Sequence, residues 1–141
     1  MPTPTFILGD TEFGVDQAQS LCKTRQQDGQ LWLSFDVYGD QAVFDVISAD
    51  EDSQWSWTLE PPRFYGDFPA TRGADGVVES RVTLDDLAEY EVVLYLMNHN
   101  DVEVVVRLHP DGTAEAKGTV DLMGEQTPFL ARWAARPSRG S

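Results

Sequence analysis

The two histidines, His99 and His109, are the only imidazoles in the chain and the first candidates for metal chemistry. The runs around them, Tyr90–Met97 and Val102–His109, read as a hairpin turned by Asn98-His99-Asn100-Asp101. If Met97 faces Val102, His99 sits in the turn and His109 pairs near Tyr90. At ~3.4 Å per residue the imidazoles then lie about 30 Å apart and cannot share an ion. Zinc sites need three or four His, Cys or carboxylate ligands, so no metal is expected. Cys22 is the single cysteine. A nucleophilic thiolate needs a base and an electropositive setting. Lys23 and Arg25 are near in sequence, but no histidine can be placed beside it, and Cys22 reads as a small half-buried strand residue. Asp50-Glu51-Asp52 lacks the spaced Asp and following Glu of an EF-hand loop and reads as a solvated turn. The chain holds 24 acids, enough for a carboxylate pair of the glycosidase kind, yet no spacing singles one out. There is no phosphate-binding glycine loop, no dinucleotide fingerprint and no serine elbow flanked by glycines. The expectation is a protein without a cofactor that is not an enzyme.

The segment Pro61–Gly73 is richer. It carries Phe64, Tyr65 and Phe68, the bases Arg63 and Arg72, and Asp67. Arg and Tyr are enriched at binding hot spots. Pro61, Pro62 and Pro69 stiffen the segment and lower the entropy lost on binding. It reads as a long loop, and long loops in compact domains are often functional. The simpler account is a plug: the same aromatics closing one end of a sheet structure. Trp55 and Trp57, just before it, either join this patch or pack in the core.

Charge sets the partner class. The net charge is −14, and between Asp36 and Asp121 there are 19 acids against 5 bases. The remainder balances at 5 and 5, so the whole excess lies mid-chain. Such a field repels nucleic acid and anionic membranes and draws a basic partner. Solubility alone is the competing account of the same charge. The first residues, Met1–Leu8, have no basic region followed by a long apolar run, and one cysteine forms no internal disulfide. A cytoplasmic location is expected.

The elements that must position these groups follow a period of two. Thr5–Leu8, Thr11–Val15 and Ala18–Lys23 are short strand candidates. Asp28-Gly29 is a hairpin turn signal. Leu31–Tyr38 puts Leu31, Leu33, Phe35 and Val37 on one face. Gly39-Asp40 reads as a turn into a partner strand, Gln41–Ala49. Gln54–Glu60 reads as a strand with Trp55, Trp57 and Leu59 on one face, stopped by Pro61-Pro62. An irregular stretch then runs to Gly76. Val77–Leu84, Tyr90–Met97, Val102–His109, Thr113–Met123 and Thr127–Arg136 follow with short turns, a meander. Thr83 with Asp86 starts at most one short helical turn near 84–89. The prediction is an all-β single domain over 1–136, an antiparallel β-barrel or β-sandwich of about nine or ten strands. Residues 137–141 are expected to form a disordered tail.

Three functions fit. The first is an acidic protein-binding module, with Arg63, Phe64, Tyr65, Asp67, Phe68, Asp50, Glu51, Asp52, Trp55 and Trp57 as its partner-binding residues. An immunity protein masking a basic toxin's active site is its concrete form; the likeness is one of size, compartment and charge alone. The second is a calycin-like barrel or enzyme whose pocket is lined by Trp55, Trp57, Tyr65 and Phe68. The third is an assembly subunit joined through strand edges. The number of copies in the working protein stays open.

Overall fold

The period-two alternation is realised as two antiparallel sheets in a computed structural model, which describes residues 4–135 apart from Gln54, Trp57, Leu59, Met97, Asn98 and Met123. In chain order the elements are Thr5–Leu8 (β1), Thr11–Glu12 (β2), Leu21–Gln27 (β3), Gln30–Tyr38 (β4), the helix Gln41–Ala49 (α1), Arg63–Pro69 (β5), Thr71–Arg72 (β6) and Val78–Val82 (β7). A 3-10 turn, Leu84–Ala88, leads to Val92–Tyr95 (β8), His99–Asn100 (β9), Val102–Leu108 (β10), Thr113–Leu122 (β11) and Glu125–Ala134 (β12). One sheet runs β2-β1-β12-β11-β10-β7-β6, the other β3-β4-β5-β8-β9.

Both sheets turn their apolar faces onto one core. Phe129 of β12 lies 5.3 Å from Phe6 of β1 and 5.0 Å from Phe64 of β5, ring centre to ring centre, so it bridges the layers. The sheets keep free edges and do not close, which makes a sandwich and not a barrel. Three of the four edges are strands of two residues, β2, β6 and β9. Edges that short offer little backbone to a foreign strand.

Local chemistry explains much of this. Asp28 (φ 53°) and Gly29 (φ 79°) form the two-residue turn between β3 and β4, the left-handed pair that matches strand twist. Thr83 and Asp86 frame the 3-10 turn, with the Asp86 carboxylate accepting from the Thr83 amide at 2.9 Å. Gly118 of β11 faces Val104 of β10, and a Cβ there would fall 1.9 Å from the Glu103 carbonyl oxygen. The outward side of the larger sheet is tied by ion pairs across strands, Arg107–Glu79 at 2.8 Å and Arg132–Glu115 at 3.0 Å.

Four expectations are corrected. Gln41–Ala49 is a helix, so β4 pairs with β3 and β5 and not with that run. Val43, Phe44, Val46 and Ile47 recur at helical spacing, and the Asp40 carboxylate caps the helix by accepting from the Val43 amide at 3.0 Å. The irregular stretch to Gly76 instead contains β5 and β6. Its prolines stand before β5 and at its last residue, where they interrupt little. None of the described residues of the expected strand Gln54–Glu60 is in a strand: Trp55 and Ser56 lie in turns, Thr58 and Glu60 outside any strand. The expected hairpin of Tyr90–Met97 with Val102–His109 is also absent. β8 pairs with β5 and β9, while β10 pairs with β7 and β11 in the other sheet. β8 is apolar on both faces, so alternation alone did not say which sheet it serves. The meander holds from β10 to β12. The tail 137–141 lies outside the described residues. Among the described residues, no helix is long and apolar enough to cross a membrane.

Candidate protein-binding face

The smaller sheet aligns its outward side chains in rows set by register. Tyr38, Arg63 and Tyr95 form one row across β4, β5 and β8. Asp36 stands beside Tyr65 in the next, Ser34 beside Asp67 in the third, and Arg25 beside Trp32 in the fourth. Arg63 grips Asp36 with two parallel bonds, Nε to Oδ1 at 2.8 Å and Nη2 to Oδ2 at 2.7 Å. Its guanidinium also lies over two rings, 4.3 Å from the centre of Tyr65 and 4.7 Å from that of Tyr38. Arg25 repeats the arrangement. Its Nη1 donates to Asp67 Oδ1 at 2.6 Å and to Ser34 Oγ at 3.1 Å, and its guanidinium sits 4.9 Å from the Trp32 ring centre. Burial pushes the Asp67 carboxyl up, but hydrogen bonds from Arg25 and Ser34 outweigh it and hold the group below the ordinary aspartate range. These planar stacks hold tyrosine, tryptophan and arginine in fixed poses at a half-buried surface, where they are pre-organised for contact.

The sequence-predicted site is split by this pleat. Arg63, Tyr65 and Asp67 point outward, whereas Phe64 and Phe68 point inward and are buried. Phe64 stacks on Phe35 at 5.0 Å, and Phe68 meets Tyr90 edge-on at 4.9 Å. Trp55 is buried too, with its edge against Phe13 and its indole N–H donating to Thr11 Oγ1 at 2.9 Å. These three cannot anchor a partner on this folded surface, nor do they line one pocket with Tyr65. Trp57 lies outside the described residues. Asp50, Glu51 and Asp52 form the exposed turn after α1, with Asp50 Oδ1 accepting from the Asp52 amide at 3.0 Å.

Residues missed by the sequence reading join the two halves. A cleft of about 260 Å³ is lined by Tyr38, Arg63 and Tyr95 of the sheet face, by Gln41 at the start of α1, and by Asp16 and Glu60. The connection from 39 to 62, whose Gly39, Gln41, Glu60 and Pro61 line this cleft, contains Asp40, Asp45, Asp50, Glu51, Asp52 and Glu60 and no Lys or Arg. Within it α1 buries only Phe44 completely and leaves Val43 (38% exposed) and Val46 (75%) at the surface. The charge run was readable, but the exposed valines were not, because a strand assignment puts them on opposite faces.

The chain matches no family model, no curated protein and no solved structure.

Burial pushes the Cys22 thiol up to about 12, so it stays protonated near neutrality. His109 belongs to the turn after β10, with its amide donating to the Thr113 carbonyl at 2.9 Å. The backbone of His99 pairs with Tyr95 in the other sheet. Among the described residues, no three His, Cys, Asp or Glu side chains gather to hold a metal ion.

Proposed function

We propose that this chain is a binding module for a basic protein. The observation that carries the reading is the 39–62 connection, with six carboxylates and no base, whose Gln41 and Glu60 line a cleft with Asp16 and with Arg63, itself paired to Asp36. Asp16 and Glu60 accept a Lys or Arg side chain by charge, since the Arg63 guanidinium in the same cleft is already neutralised by Asp36. The exposed Val43 and Val46 supply an apolar contact beside it, and the Arg63 and Arg25 stacks extend the surface along the sheet. The unpaired acids steer the encounter from a distance. Neutralisation of a cationic toxin by covering its active site is the biological form that suits such a surface. Pairing through strand edges is disfavoured, since three of the four edges are two-residue strands.

The test places a photo-crosslinking side chain at position 46 in the cell of origin, with the same probe at Lys117 on the larger sheet as comparison. The expected product is one basic protein captured at position 46 and not at 117. Its purified form should associate with the chain at least about tenfold more slowly at high salt than at low salt. The Asp50→Asn, Glu51→Gln, Asp52→Asn triple variant should lose most of that dependence. Equal capture at both positions, or a salt-independent rate, overturns the reading.

A further inference from the structure

Five of the eight described lysines and arginines are already committed. Arg25, Arg63, Arg81, Arg107 and Arg132 each form an ion pair on the strands. Among the described residues that leaves Lys23, Arg72 and Lys117 outside any ion pair. Lys23, Arg72 and His109 line a single groove of about 560 Å³, between the β3 edge of one sheet and the β6, β7 and β10 end of the other. Among the described residues, no Asp or Glu lines it. With 24 acids against 10 bases in the sequence, an acid-free wall holding two unpaired cations runs against composition. The nearby acids are turned to other work. Asp75 accepts from the Val77 amide at 3.1 Å and Asp111 from the Thr113 amide at 2.9 Å, each closing its own turn.

The backbone adds one donor. The Cys22 amide points away from β4 and donates to the Ala135 carbonyl at 3.0 Å. In an antiparallel ladder every second residue shares that direction, so the Thr24 amide faces the same open edge. Leu21, Val78 and Leu108 supply aliphatic wall. The volume lies within the ~300–1,000 Å³ usual for small-ligand sites.

We propose that this groove binds a small organic anion, with its phosphate or carboxylate groups held between Lys23 and Arg72 and its apolar part against Leu21, Val78 and Leu108. The site shares no lining residue with the cleft at Tyr38 and does not depend on the protein-binding reading. Arg72 offers two parallel donors to such a group, and Lys23 a compact charge.

The experiment titrates the full chain with inorganic phosphate and with phenyl phosphate and follows backbone amides by NMR. Saturable shifts are expected at Thr24, Gly76 and Gly112, with phenyl phosphate binding at least about tenfold more tightly because of the aliphatic wall. The Lys23→Gln, Arg72→Gln double variant should lose the shifts. Both side chains are exposed and unpaired, so its fold should be retained, and an unchanged amide spectrum elsewhere checks this. Lys117→Gln, which removes the third unpaired cation outside the groove, should bind as the parent does. Equal affinity for the two phosphates, shifts that survive in the double variant, or no saturable shift with either probe overturns the proposal.

Discussion

Arg63 shows how much a single side chain can organise on this surface. It closes a two-bond fork on Asp36 and covers two tyrosine rings. Lysine keeps the charge but has neither the fork nor the plane. Arg63→Lys is therefore expected to lower stability by about 1 kcal/mol in urea denaturation, a modest figure because the side chain is 36% exposed. Asp67 and Glu79 set the acid limit. Asp67 stays below its ordinary range despite burial, through Arg25 and Ser34, and Glu79 is held down first by the hydrogen bond from Arg107. Their folded values lie below their unfolded ones, so the unfolded chain binds more protons in acid. Their contribution is full above the unfolded carboxylate range, about pH 4, and disappears as pH falls through the folded values. Urea midpoints should drop steeply below about pH 4, and Asp67→Asn should flatten part of that slope.

At the scale of elements, the sequence spoke clearly where one face is wet. In β4, buried Leu33, Phe35 and Val37 alternate with half-buried Trp32, Ser34, Asp36 and Tyr38, and that strand was legible, as was its Asp28-Gly29 turn. It misled at α1, whose Val43, Val46 and Ile47 are β-branched and favour strands, while the helix depends on tertiary packing of Phe44 and on its cap. Asp40→Ala should cost about 1 kcal/mol in thermal or urea unfolding, and a change within a few tenths would mean the cap does little. The aromatic segment misled in the opposite way. Its three prolines argued for a loop, yet Phe64 and Phe68 alternate with Tyr65 and Asp67 as a strand requires. Two of the five expected site residues in that segment, Phe64 and Phe68, were thereby turned into the core. The groove at Lys23 and Arg72 was not legible at all, because those residues are 49 positions apart (72 − 23) and only strand order brings them together.

For the molecule as a whole, the net charge of −14 sets the response to solvent. Like charges repel more in the compact state, and the described cations are mostly spent in pairs. Raising NaCl from low to moderate concentration should raise the melting temperature. A fall would mean that the ion pairs across the strands outweigh the repulsion. Sequence gave the size of this charge but not its distribution, since facing depends on the pleat.

The pairing of β1 with β12 places Thr5 opposite Arg132, at the two extremes of the fold. A ribosome therefore releases Phe6 and Leu8 long before the strand that covers them exists. Strands β3, β4 and β5 follow one another both in sequence and in their sheet and can assemble as they emerge. The larger sheet must wait until β12 has been made. Such distant pairings fold on the scale of ~milliseconds to seconds. During synthesis the N-terminal strand is thus an uncovered apolar segment, and the cell's chaperones are the natural guardians of that interval.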